Sequence, residues 1–574
     1  MTVFRVWAPR ATAVAVEIAG ERTPLFLGAG DWWVVDLPGA GPGTDYAFVV
    51  DGGPLRPDPR SPWQPYGVDG PSRLTGPFAW TDSRWQSPPF ASAVVYELHI
   101  GTFTPAGDFD SAIDRLADLV ALGITHVELM PVAQFSGERG WGYDGVDLFA
   151  PHQGYGGPDG LKRLVDACHA HGLAVILDVV YNHLGPAGNY LAGYGPYFTD
   201  RYSTPWGEAV NFDGPDSDEV RRFFIDNALM WLREYHIDGL RLDAVHAIVD
   251  ISARHILEHL AIEVEALRAE TGRHVTLIAE SDLNDPRLLW SRERGGYGLD
   301  AQWNDDFHHA LHTVLTGEDR GYYQDFGTLA ALAKALGDVY VYDGGYSAFR
   351  RRRHGRPASG LAGSRFVGFL QNHDQVGNRA TGERSSRLMS EGRLKVGAAL
   401  VLTAPFVPLL FQGEEWGAST PFQYFTDHQD PALGRAVTEG RRGEFAAFGW
   451  KPDQVPDPQS LETFLRSKLD WAERERAPHA GLLEWHRALI RLRRTEPALS
   501  DGRREGLRVD YDEAARWLTL SRGPVVVACN LGPAGQAVPL GAPARMLLLA
   551  SDDAVVLDGE TVTLPPDSVA IFRR

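Results

Sequence analysis

"GLRLDAVHAI", residues 239–248, is a mostly apolar stretch that carries Arg241 and Asp243 two residues apart. In a β-strand that spacing puts both side chains on one face, with Leu240 and Leu242 on the other. A buried carboxylate costs several kcal/mol, roughly, unless it is paired or needed by chemistry. The pair is therefore either a structural ion pair or part of a reactive site. The flanks of the stretch decide the fold. A helical pattern, "SDEVRRFFIDNALMWLREYH" (217–236), precedes it, and another at 252–269 follows.

Working outward, strand and helix patterns keep alternating. Upstream lie the strand "AVVYELHI" (93–100), the helix "DFDSAIDRLADLVALG" (108–123) closed by Gly123, and the strand "ITHVELMPV" (124–132). The helix "GGPDGLKRLVDACHAHG" (156–172) and the strand "LAVILDVVY" (173–181) complete that half. Downstream come "HVTLIAES" (274–281), "SRFVGFLQNHD" (364–374) and "FVPLLFQGEE" (406–415), with a weaker strand at "GLDAQW" (298–303). Repeated strand–helix units imply right-handed crossovers and a parallel sheet. Eight of them predict an α/β chain built on a (β/α)8 TIM barrel with long insertions, over residues 89–498.

Residues 1–88 read differently. "FRVWAP", "AVAVEIAG", "WWVVDL" and "DYAFVVDG" are short alternating runs between turns, predicting an N-terminal immunoglobulin-like β-sandwich. "TDSRWQSPPF" (81–90) reads as a linker. "RWLTLSR", "PVVVACNLG", "ARMLLLA" and "SVAIFRR" predict a C-terminal antiparallel β-sandwich at 499–574.

Composition sets bounds on partners. The 574 residues are 44% hydrophobic and 23% charged, as in an ordinary globular protein. A net charge of −20 argues against nucleic acid or an anionic membrane as partner. The "RRRR" run at 350–353 reads as a solvated loop. Apolar runs such as 394–411 are broken by Pro, Gly and Lys, so no membrane span is expected. The start lacks the layout of a signal peptide, and Cys168 and Cys529 are the only cysteines; a reducing cytoplasm is the expectation.

In such a barrel, reactive groups gather at the carboxyl ends of the strands. Four predicted strands end in polar clusters: Asp178, Asn182 and His183; Arg241 and Asp243; Glu280; His373 and Asp374. Any one could be a helix cap or ion pair. Three carboxylates converging on one rim are destabilising unless chemistry requires them. Two close carboxyls, one ionised and one protonated, suit glycoside hydrolysis with retention.

"DVVYNH", "GLRLDAVH", "LIAES" and "FLQNHD", in this order, resemble the four conserved regions of the α-amylase superfamily. The resemblance implies that Asp243 is the nucleophile, Glu280 the general acid/base and Asp374 the transition-state stabiliser. By it, Arg241 holds Asp243 ionised, His183 and His373 bond sugar hydroxyls beside Gln375, and Tyr143 in "WGYDGVD" stacks on the sugar. Asn182 matches a calcium ligand of many α-amylases. No acidic calcium loop accompanies it, so a bracing role is expected, with no metal and no cofactor.

Longer stretches, among them "IAESDLNDPR", "GLDAQWNDDFHHALH" and "GEEWGASTPFQYFTDH", resemble the maltooligosyltrehalose trehalohydrolases of that superfamily. This implies an oligosaccharide substrate, maltooligosyltrehalose, made by a preceding maltooligosyltrehalose synthase. Such enzymes cleave the α-1,4 bond next to the trehalose unit. An isoamylase-like α-1,6 debranching enzyme is the alternative. Trehalose is bent and lacks a reducing end, so its site needs shaped walls and hydrogen bonds. Asp305, Asp306, His308, His309, Glu414, Trp416, Tyr424 and His246 are the candidates for that side.

Overall fold

A computed structural model describes residues 2–446 and 450–574. Eight parallel strands close into a barrel, here numbered β1 to β8: Val95–Leu98, His126–Leu129, Ala174–Val179, Gly239–Leu242, Thr276–Ala279, Ala301–Trp303, Phe366–Gly368 and Val407–Phe411. Each pairs with the next in sequence, and β8 pairs with β1, so the barrel has no edge. The weak "GLDAQW" strand is β6, only three residues long.

Most crossovers contain a helix, as the alternating pattern predicts. Gly123 ends the first with φ 104°, a left-handed conformation that glycine adopts without strain. That first helix is broken at Asp114–Arg115 into Phe109–Ile113 and Leu116–Leu122. The fifth crossover departs from the expectation of a full strand–helix unit. Between β5 and β6 only 3-10 turns form, at Pro286–Leu288 and Arg292–Arg294, where Pro286 and three glycines at 295, 296 and 298 interrupt any helix.

Period-two alternation sorts the barrel interior. Val95, Ile176, Ile278, Ala301, Trp303 and Val407 form an apolar plug. Glu97 and Asp178, each two residues further along its strand, face the same interior one layer higher. Asp178 is in register with Arg241. The barrel is therefore dry at its foot and charged at its carboxyl end.

Residues 2–73 form two antiparallel sheets of three and four strands, with Phe4 of one packed at 4.9 Å on Tyr46 of the other. Residues 507–573 form sheets of five and three strands around Val526, Ala528, Val538, Val562 and Phe572. Among the described residues no helix is long and apolar enough to cross a membrane.

Candidate active site

Strand β4 delivers Arg241, which is fully buried, and its guanidinium organises the rim. Nη1 donates to Asp178 Oδ2 at 2.7 Å and to Asp243 Oδ1 at 2.8 Å; Nη2 lies 3.1 Å from Glu280 Oε2. The guanidinium carbon sits 4.3 Å from the centroid of the Trp303 ring. Burial works against the charge on Arg241, but Asp178, Glu280 and Asp243 outweigh it, so the group keeps its proton. The Arg241–Asp243 question resolves into a network: one cation holds three carboxyls.

Asp243 is oriented from its other side by Asn182, whose Nδ2 donates to Oδ2 at 2.7 Å and to the Asp243 carbonyl at 2.9 Å. That is the bracing use of Asn182. The next residue, Ala244, is left-handed, with φ 39° and ψ 50°. Such a backbone costs an alanine about 1–2 kcal/mol. In return its amide donates to Glu280 Oε2 at 2.6 Å, fastening the end of β4 to the end of β5. Burial raises the Glu280 pKa well above the ordinary glutamate range; Arg241 opposes this, and Asp243, Asp374 and Asp305 add to it. Oε2 is taken by Ala244 and Arg241, which leaves Oε1 to carry a proton.

Tyr143 and His373 close the site. The Tyr143 hydroxyl donates to Asp178 Oδ2 at 2.6 Å and lies 2.7 Å from His373 Nε2; the rings stack at 5.2 Å. His373 Nδ1 is bonded to Glu97, and Nε2 is 3.5 Å from Asp374 Oδ1. Burial opposes charge on His373, but Asp374 and Glu97 prevail and raise its pKa to about 9. His183 contacts Asn182 through Nδ1 and the Tyr143 carbonyl through Nε2. Both nitrogens of each histidine are thus engaged within the protein.

The remaining candidates divide. Asp305 is half-buried at the start of helix Asp305–Thr316, and burial, with Asp374 and Asp282, raises its pKa to about 7. His246 is exposed on the turn after β4. His309 is half-buried against Tyr322, Tyr323 and Phe326. Tyr424 packs edge-on at 5.2 Å against Trp141, which touches Tyr143 and His373.

Four candidates are not free to meet a sugar, and a fifth, Gln375, is engaged through one side-chain atom only. Asp306 accepts from Asn284 Nδ2 and from the amides of Val341 and Tyr342, which spends its carboxylate on joining loops. His308 is fully buried between the Leu370 carbonyl and the Tyr323 hydroxyl. Gln375, half-buried, spends Oε1 on the Asn372 amide to cap its own short helix and keeps Nε2 for other partners. Glu414 is buried and accepts from the Phe411 amide; burial lifts its pKa to about 8. Trp416 is a core residue, 1% exposed, packed on Trp471 at 5.1 Å.

Sequence reading also left residues out. Asp178 was visible as a strand-end acid, but its contact with Arg241 was not. Glu97 stands inside an otherwise apolar strand, a polar exception that could have flagged it. Trp206 is 48% exposed at the tip of hairpin Phe198–Val210 and stacks on His183 at 4.3 Å with 3° between planes. In the sequence it was visible only as a tryptophan beside Gly207 in a polar turn. No group of three or more His, Cys, Asp or Glu among the described residues is arranged to hold a metal ion.

The family model for the catalytic domain of alpha amylase matches residues 77–196, and a domain of unknown function, DUF3459, matches 502–571. Malto-oligosyltrehalose trehalohydrolase of Rhizobium sp. (strain M-11) is 52% identical over 581 residues, covering 99% of this chain and 97% of that one. The chain belongs to the malto-oligosyltrehalose trehalohydrolase family. A crystal structure from Salmonella typhimurium, assigned as an alpha amylase, is 40% identical with a TM-score of 0.91, covering 100% of this chain and 97% of that one. A pullulanase from Anoxybacillus sp. LM18-11, solved with maltotetraose, has a TM-score of 0.72 at 18% identity, covering 100% and 86%; it shares the fold alone. The debranching alternative therefore has no support beyond architecture, and the trehalohydrolase family accounts for the whole chain.

Proposed function

We propose that this chain hydrolyses the α-1,4 bond between a maltooligosaccharide and its terminal trehalose unit, with retention of configuration. The observation that carries the mechanism is the Arg241 fork on Asp243 and Glu280, with the Ala244 amide on the latter. A retaining glycosidase needs its two carboxyls about 5–5.5 Å apart, and Asp243 and Glu280 are drawn together on one guanidinium.

Asp243 attacks the anomeric carbon while the Glu280 proton passes to the departing trehalose oxygen. Glu280, now ionised, takes a proton from water, which attacks the same carbon and frees Asp243. Asp374 faces the developing positive charge. Trehalose is held by residues that remain open at the rim: Asp305, His246, His309 and Tyr322. Tyr143 and Trp206 supply apolar faces.

The substrate is the product of a reaction that rearranges a maltooligosaccharide's reducing end, so the enzyme acts after a maltooligosyltrehalose synthase in trehalose biosynthesis. Two buried, unpaired thiols, Cys168 and Cys529, suit a cytoplasmic setting. Incubation with maltooligosyltrehalose and, separately, with pullulan tests the reading. Trehalose from the first and no cleavage of the second is the expected result; cleavage of pullulan without release of trehalose overturns it.

A further inference from the structure

Beneath the catalytic groups, Glu97 of β1 and Glu128 of β2 are register partners on adjacent strands. Partners of this kind lie about 4.8 Å apart. Both are 1% exposed. Their surroundings differ. Glu97 accepts from the His373 amide at 3.1 Å and from His373 Nδ1. Neither Oε1 nor Oε2 of Glu128 has a hydrogen-bond partner among the described residues. The groups that face Glu128 are Glu97 from β1, Asp178 from β3, Arg241 from β4 and His373 after β7.

An ionised carboxylate without a donor at this depth costs far more than a neutral acid does. Two adjacent buried carboxyls also resist joint ionisation. Glu128 is then the acid of the pair: burial first, and Glu97 next, raise its pKa well above the ordinary range, against Arg241.

Above the pair runs a chain of bonds. His373 Nδ1–H donates to Glu97 and Nε2–H to the Tyr143 hydroxyl. Tyr143 donates to Asp178, and Arg241 donates to Asp178 and Asp243. This direction of donation requires His373 to be an imidazolium. We propose that Glu128 is a positioning residue, a reserve carboxyl that takes over the negative charge of its neighbour Glu97 when that charge is removed. The pair holds one proton and one negative charge, and that charge keeps His373 donating at both ring nitrogens and so sets Tyr143, Asp178 and Arg241. The proposal rests on the glycosidase reading of the site only for its catalytic readout.

The test is a double-mutant cycle in the full-length enzyme: Glu97→Gln, Glu128→Gln and the double variant, with kcat/KM followed against pH. In Glu97→Gln, Glu128 releases its proton and takes over the charge, so the loss stays within about 10-fold. Glu128→Gln costs a few fold, since the amide cannot act as the reserve. The double variant loses at least about 10-fold more than the product of the single losses. Its alkaline limb, which deprotonation of Glu280 sets in the wild type, also moves, because His373 then loses its charge at lower pH than Glu280 loses its proton. The raised His373 pKa means that the imidazolium persists until pH rises through about 9, while the stability it adds is full below about 6.5. Without either carboxyl the imidazolium is lost at lower pH.

If the double variant does not fold, infrared spectra of the single variants decide. The protonated-carboxyl band missing from Glu128→Gln must also be missing from Glu97→Gln. Multiplicative single losses with an unmoved limb, or a band that persists in Glu97→Gln, overturn the pair. A wild-type enzyme inert on the oligosaccharide would count against the functional reading, while the infrared comparison still decides the pair.

Discussion

Asp243 is fixed by Arg241 on one oxygen and Asn182 on the other, so removing its charge should spare the fold and stop the chemistry. Asp243→Asn is expected to lower kcat/KM by roughly three decades or more, with the thermal midpoint nearly unchanged. A loss below tenfold would remove Asp243 from the nucleophile role. Asp305 gives a pH prediction. Glu280 acts as an acid only while protonated, so kcat/KM falls as pH rises through its pKa. Asp305 contributes to that raised pKa, and it is itself ionised above about 7. Asp305→Asn should therefore move the alkaline limb to lower pH; an unmoved limb would show that Glu280 does not feel Asp305. The three candidate acids stood out in sequence because each is a charge at the end of, or just beyond, an apolar strand. Asp306 and His308 were misread because their partners, the Val341 amide and the Leu370 carbonyl, lie 35 and 62 residues away in the chain. Polarity in a short motif does not say which way a side chain faces.

The turn after β4 is the element on which the mechanism depends. Ala244 occupies a left-handed backbone that a β-branched residue tolerates poorly. Ala244→Val is expected to cost about 2 kcal/mol or more and to lower kcat together with stability, because its amide then leaves Glu280. Retained stability, read by thermal melting, would mean that the turn holds no strain. Seven strands were legible from their apolar runs. β6 was weak because its three residues, Ala301–Trp303, include Gln302 and follow Asp300, so no apolar run marks them. Between β5 and β6, Pro286 and the glycines at 295, 296 and 298 leave only 3-10 turns where the repeated pattern led one to expect a helix.

At the scale of the whole molecule, the foot of the barrel is fastened far from the chemistry. Asp82, in the segment leading into β1, accepts from His169 at 2.7 Å and His236 at 2.8 Å, while Asp238 binds the other nitrogen of His169. Trp85 and Trp80 stack on the two imidazoles. Burial opposes ionisation of Asp82, yet the two histidines lower its pKa, so its contribution is present above the unfolded value and lost as pH falls through the folded one. Asp82→Ala should cost about 3 kcal/mol at neutral pH without changing kcat. Equal losses in turnover and stability would instead mean that the foot and the rim are coupled. The "TDSRWQSPPF" segment was read as a linker because its composition is that of one; its two-sided grip on the barrel lies in residues over eighty positions away.

The central claim joins a retaining pair of carboxyls to release of trehalose, and proton NMR during the first minutes of maltotriosyltrehalose hydrolysis tests both at once. The account predicts free trehalose together with maltotriose whose new reducing end appears first as the α-anomer and only then mutarotates. A reducing end that appears first as the β-anomer, or cleavage that leaves trehalose attached to glucose, would contradict it.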